Sequence, residues 1–236
     1  ILSPSTICGY EQIYRLRLKS IMHVPLSKLT NNTIQVAINE ETLHLQPKTV
    51  RNISALLSSV LKKYNPNFVY KVILPQKTKH EMSIPTQEQM RLILDDVKGT
   101  EMELPLLLAA CLGLRRSELL GLKWENVDFN KGTIKIDTAV VTGIGAKKFE
   151  KAPKSIAGYR TLSVPENIMQ KLKDAKEKAT NENVIALTGE AIYGRFDHIL
   201  KRLNLPHFRL HDLRHYYASV LLAMGIPNKY AQQRMG

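Results

Sequence analysis

Cysteine is nearly missing from this chain: Cys8 and Cys111 are the only two among 236 residues, far apart and without a CxxC or Cys/His spacing. That excludes a disulfide framework and a zinc finger, and it fits a reducing compartment with idle thiols. No apolar run approaches the roughly 20 residues of a membrane span. The first residues offer no charged stretch leading into an apolar core and a cleavage site, so a cytoplasmic protein is expected. There is no internal repeat and no low-complexity tract. Acidic residues are scarce beside basic ones: 21 Asp and Glu against 34 Lys and Arg leave a formal net charge of +13. A surplus of that size is the footprint of a polyanion binder, nucleic acid first, although a solvated basic surface would give the same count. The 44% hydrophobic and 23% charged content is that of an ordinary globular protein with one or two cores.

Ser3-Pro4 supplies a helix cap and a first-turn proline, and Ile7, Tyr10, Ile13, Tyr14, Leu18 and Ile21 follow at helical spacing. A second helix is expected from Thr30 with Ile34, Val36 and Ile38, and a third from Pro47 with Val50, Ile53, Leu57, Val60, Leu61 and Tyr64. Residues 1–74 thus form a helical bundle. Residues 75–84, opening with Pro75-Gln76-Lys77-Thr78-Lys79-His80, are a basic linker able to lie along a phosphate backbone. Residues 85–236 form a second domain. Pro85-Thr86 opens a helix with Met90, Ile93, Leu94 and Val97 inward, and Leu104 to Leu112, apolar all round, is a buried helix. Beyond Trp124, Asn130-Lys131-Gly132 signals a turn. Thr133 to Asp137, Ala139 to Thr142 and Arg160 to Val164 are expected to be three strands of one small antiparallel sheet. Helices resume at Pro165, near Glu190 and from Leu210 to a C-cap at Gly225.

Three clusters carry candidate chemistry. Arg115, after Gly113-Leu114 at the end of the buried helix, has a fork that matches two phosphate oxygens; a salt bridge to Glu118 within its own helix is the alternative. Lys154, in Pro153-Lys154-Ser155 between two strands, is suited to protonating a departing alkoxide, a role that contributes a factor of ~10² to 10⁴. Lys147, Lys148 and Lys151 are rivals for it. His211, Arg214 and His215 at i, i+3 and i+4 share one helix face, where three polar groups are not expected to be core. His-x-x-x-His spacing can also hold zinc, but an arginine between the two ligands repels a cation and no third ligand is evident. A phosphate site uses Arg214 as a second guanidinium and His211 as proton shuttle or donor.

Together these residues resemble the tyrosine recombinase family, the integrases of phages and conjugative elements. Gly113-Leu114-Arg115-Arg116-Ser117-Glu118-Leu119-Leu120 is similar to its first arginine box, Pro153-Lys154-Ser155 to its β-hairpin lysine, and His211-Asp212-Leu213-Arg214-His215 to its His-x-x-Arg box. The resemblance implies a mainly α fold with a small antiparallel sheet. It comprises a helical, SAM-like core-binding domain, in which Leu43 to Tyr64 resembles the helix that lies on DNA, and an α+β catalytic domain. It implies that Arg115 and Arg214 clamp the scissile phosphate, that Lys154 protonates the 5′ oxygen, and that His211 assists. Glu118 and His215 support the arginines. Lys48, Arg51, Lys77, Lys79, Arg116, Lys147, Lys148 and Lys151 are the expected DNA contacts. No metal and no other cofactor is implied, because guanidinium and ammonium groups supply the charge stabilisation.

The implied partner is double-stranded DNA at attachment sites, joined in a homo-tetramer in a bacterial nucleoid, with an excisionase or a host DNA-bending protein as accessory. Two other functions fit the residues: a DNA-binding fragment without cleavage, and a type IB topoisomerase-like relaxing enzyme. The sequence departs from the family at its end. The family's nucleophilic tyrosine follows a Gly-His pair beyond the second arginine, and Gly236 aligns with that glycine. Either truncation before the nucleophile or a further tail that carries it is therefore expected. Tyr216 and Tyr217 stand too close to Arg214, and Tyr230 is a weak substitute. An arm-site-binding domain at the N-terminus is likewise expected to be absent.

Overall fold

The computed structural model describes residues 2–78, 83–153 and 158–236. The chain divides into two compact units, Ile1–Glu81 with Thr142–Lys147, and Met82–Val141 with Lys148–Gly236.

In the first unit, α1 (Pro4–Leu16) is capped by Ser3, whose Oγ accepts from the Thr6 amide. It is shorter than its periodicity suggested: Leu18 turns into the left-handed region (φ 53°), its amide bound by Glu41 Oε1 at 2.7 Å. That turn drops Leu18 and Ile21 into the core, whereas Ile7, Tyr10 and Tyr14 of α1 are exposed. Helix α2 (Asn31–Thr42) starts on a Thr30 capping box and buries Ile34, Ala37 and Ile38. Val36 points to solvent, because i and i+2 lie on different faces of a helix. Helix α3 (Pro47–Tyr64) buries Val50, Ile53 and Leu61 against them, with Tyr64 exposed; residues 43–46 precede the helix. Pro75 to Thr78 have no regular structure.

The second unit is built around α5 (Glu103–Leu112), in which Leu106, Leu108, Ala109, Ala110 and Leu112 are buried. Each fully buried leucine contributes about 1.5–3 kcal/mol. Around it stand α4 (Gln87–Asp96), opened by a Thr86/Gln89 capping box, α7 (Glu166–Glu177), α8 (Gly189–Arg202) and α9 (Leu210–Ala223). The C-cap of α5, Gly113, is left-handed (φ 68°), and the chain passes through it into the short α6 (Arg116–Gly121). Helix α10 (Asn228–Met235) follows the left-handed Gly225 and folds back on α9.

The sheet corrects one expectation. Its strands run β1 (Val127–Asp128), β2 (Thr133–Ile136) and β5 (Arg160–Ser163), all antiparallel, with Ile136 opposite Arg160. Ala139–Thr142, expected as its third strand, is instead β3 of a separate two-stranded pair with β4 (Lys148–Lys151). The tight Asn130-Lys131-Gly132 turn is what lets the two residues of β1 pair with the start of β2.

Candidate active site

Helix α9 presents Leu210, Leu213, Arg214, Tyr217 and Leu221 at i, i+3, i+4, i+7 and i+11, and all five are buried. Arg214 therefore lies on the core stripe, contrary to the expectation of a non-core polar face. Its side chain crosses to the end of α5, where Nη1 donates to the Gly113 carbonyl at 2.5 Å and Nη2 donates to the carbonyls of Met235 and, at 3.5 Å, Gly236. Burial first, then the nearby Arg115 charge, pushes its pKa down to about 10, which still leaves it protonated at neutral pH. His211 is exposed and His215 half-buried, their rings edge to face with centroids 4.7 Å apart. Partial desolvation of this otherwise exposed ring, then His215 and Arg214, lower the His211 pKa, so the ring is neutral at pH 7.

Arg115 forms the expected bridge to Glu118, with Nη1 to Oε1 at 2.7 Å, but Nη2 also donates to the Gly236 carbonyl at 2.6 Å. The two arginines thus reach one and the same oxygen. Its local salt bridge does not remove Arg115 from the site, since Nε and one hydrogen on each Nη have no partner among the described residues and the side chain is 39% exposed.

Sequence reasoning missed Arg160. It lies two positions before the buried Leu162, on the same face of β5, so strand alternation was a usable signal that this arginine points inward. Nη1 and Nη2 donate to both oxygens of Glu118 at 3.2 and 2.8 Å, and Nε donates to the Arg234 carbonyl at 2.8 Å. Burial alone would raise the Glu118 carboxyl; hydrogen bonds from Arg160 and Arg115 outweigh it and hold the group below its ordinary value. Asp212, inside the His-x-x-Arg box, is also buried. It accepts from the Arg209 backbone amide at 2.7 Å and from Nε and Nη2 of the same residue, which caps α9. Among the described residues no group of three His, Cys, Asp or Glu could hold a metal.

The other expected residues divide by unit. Lys48, Arg51 and Lys77, with Asn52 and Thr78, line one basic pocket of about 320 Å³ in the first unit, where Arg51 Nε donates to the Pro75 carbonyl at 3.0 Å. Lys147, also of the first unit, is exposed; in the second unit Arg116 and Lys148 are exposed and Lys151 is half-buried. Lys154 and Lys79 lie outside the described residues, so the structure leaves the choice among Lys154, Lys147, Lys148 and Lys151 open. Tyr217 is buried, its hydroxyl accepting from Arg234 Nε at 2.8 Å, and Tyr230 is exposed.

The sequence pattern of the phage integrase family matches residues 83–236. A XerC-like tyrosine recombinase of Caldanaerobacter subterraneus subsp. tengcongensis is 25% identical over 99% of this chain and 71% of its own length. The phiRv2 prophage integrase of Mycobacterium tuberculosis is 31% identical over 55% of this chain, a match that spans 38% of that integrase. In fold, the chain is similar to the Tn1549 transposon integrase in complex with transposon right end DNA, with a TM-score of 0.83 at 19% identity, covering 99% of this chain and 86% of that one. It is also similar to lambda integrase in a tetramer bound to a Holliday junction, with a TM-score of 0.73 at 17% identity, covering 100% and 72%. No helix among the described residues is long and apolar enough to cross a membrane.

Proposed function

The chain belongs to the phage integrase family of tyrosine recombinases, and on that premise we propose that it grips duplex DNA and that Arg115 and Arg214 clamp the phosphate to be cut. One observation carries this reading: guanidiniums from Arg115, the N-cap of α6, and Arg214 of α9 converge on a single oxygen, that of Gly236, at 2.6 and 3.5 Å. Two forks aimed at one point, one of them buried, suit a phosphodiester whose negative charge grows on attack, because preorganised charge acts most strongly where water is excluded.

In the reaction, a tyrosine oxygen attacks phosphorus, the 5′ oxygen leaves with a proton from Lys154 or a neighbouring lysine, and a 3′-phosphotyrosine remains. The reverse step, attack by a 5′ hydroxyl, releases the tyrosine and reseals a strand. One ester replaces another, so neither ATP nor water enters. Neutral His211 beside Arg214 can accept or relay the proton. The pocket of Lys48, Arg51 and Lys77 is suited to a backbone phosphate, which positions the duplex without reading its sequence. Action at specific sites by four copies on two duplexes belongs to the same reading; the tetrameric assembly of lambda integrase supports it.

The test uses the full-length protein and a duplex selected from a random-sequence pool by its binding. A protein–DNA adduct that survives denaturation and is abolished by Arg115→Ala and Arg214→Ala is expected. Salt-dependent binding with no adduct from the unaltered protein would instead identify a DNA-binding module.

A further inference from the structure

We propose that Arg160 is a positioning residue for Arg115, acting through the Glu118 carboxylate that the two arginines share. The inference rests on Arg115 being a phosphate clamp, and its own warrant is the hydrogen-bond inventory of three side chains.

Glu118 accepts from the Arg115 backbone amide at 3.0 Å, Arg115 Nη1 at 2.7 Å, Arg160 Nη1 at 3.2 Å and Arg160 Nη2 at 2.8 Å. An ionised carboxylate offers about four lone-pair sites, so Glu118 is saturated and its orientation is fixed. Arg160 is occupied in the same way. Besides Glu118 it donates to the carbonyls of Arg234 at 2.8 Å and Gly158 at 3.3 Å, and its side chain is 5% exposed. A group so enclosed has no paired donors left for a phosphate. Arg115, 39% exposed and with donors still unpartnered among the described residues, does.

Charge gives Arg160 a second task. A buried Glu118 paired with Arg115 alone would be a neutral pair and would cancel the cation that the phosphate needs. With Arg160 on its other side the Arg–Glu–Arg set keeps a net positive charge, and Arg214 adds another. The bidentate fork matters as much as the charge, because only a planar guanidinium can span both carboxylate oxygens and stop Glu118 from rotating with Arg115 attached.

The test measures adduct formation in a single turnover, at saturating selected duplex, by full-length protein carrying Arg160→Met or Arg160→Lys. Arg160→Met is expected to slow cleavage by about 10²-fold, the typical effect of a misplaced catalytic group, while half-saturation by DNA stays near that of the unaltered protein. Its pH profile is expected to gain a second acid limb, beside the one set by His211 and kept when His211→Gln is added, as Glu118, buried and left with Arg115 as its bound partner near Arg214, takes up a proton. A purely structural role would produce no such limb. Arg160→Lys, which keeps the charge and loses the fork, is expected to cleave at an intermediate rate.

If Arg160→Met does not fold, Arg160→Lys decides the matter: an unchanged rate overturns the proposal. So does a folded Arg160→Met that cleaves at the original rate, or one that loses DNA affinity and not rate. Arg115→Ala run in parallel separates the two readings. If it cleaves normally, the clamp itself has failed; if it is inactive while Arg160→Met is normal, only the positioning role has.

Discussion

Glu118→Gln isolates what the buried carboxylate contributes. The substitution keeps the shape and removes one negative charge from between Arg115 and Arg160. The amide NH₂ that replaces one oxygen is a donor, so on that side it faces guanidinium N–H groups donor to donor. Breaking a buried ion pair by removing one partner costs about 3–5 kcal/mol. Because the Arg115 side chain is 39% exposed and water can replace part of its contact, the lower end applies. For a chain of this length each kcal/mol moves the melting temperature by about 2–4 °C, so a fall of about 6–12 °C is expected at pH 7.

The sign of the pH dependence is set by the lowered Glu118 pKa. Stabilisation by a carboxylate whose folded-state pKa is depressed is fully present above the unfolded value, near 4.5, and is lost as pH falls through the folded value. Melting curves of the two proteins, followed by far-UV circular dichroism, should differ by a constant amount from pH 7 down to about pH 5. They should then converge, because protonated Glu118 resembles Gln. A difference under about 1 °C at pH 7, or one that widens on acidification, would refute the account of a charged carboxylate holding two guanidiniums.

Gly113→Ala should lower stability by about 2–4 kcal/mol, combining left-handed backbone strain with overpacking. Its Cβ would stand 2.5 Å from Cδ1 of Tyr217 and 3.1 Å from Sδ of Met235. Urea unfolding checks this through a lower midpoint at unchanged slope, and an unshifted midpoint counts against it. Arg214→Ala in the full-length protein should keep most DNA affinity and lose cleavage, since one phosphate contact among many sets little of the binding energy; adducts at the original rate would remove Arg214 from the chemistry. Lys154→Ala should be rescued by a substrate whose leaving group is a 5′ thiolate, which needs no proton donor, and failure of rescue transfers the role to Lys147, Lys148 or Lys151. Because His211 is held below its ordinary value of 6.5, cleavage should weaken only at pH below that value, and His211→Gln should flatten this acid limb. A limb at or above neutrality would place the titration on another group.

Where most helices lie was legible because periodicity and caps are local, although α10 (Asn228–Met235) was not expected. The Thr30 and Thr86 caps, the all-apolar α5 and the stop at Gly225 all depend on residues within one or two turns. Misreadings arose where a distant group won. Glu41, in α2, takes the Leu18 amide and ends α1 early. The sheet took Val127–Asp128 in place of Ala139–Thr142, since pairing depends on which strand the turn presents and not on β-branched content.

The family resemblance was legible too, as a set of residue types in order: Arg115 with Glu118, and His211 with Arg214. By itself the sequence determined that this chain carries cations fit for a phosphodiester on a mainly helical frame with a basic first domain. Only the tertiary structure decided that Arg214 is buried, that its fork meets Arg115 at one oxygen, and that Arg160 shares Glu118 with Arg115. A guanidinium can leave water only where acceptors meet it. Here those acceptors, Gly113 for Arg214 and Glu118 for Arg160, are 101 and 42 positions away in the chain.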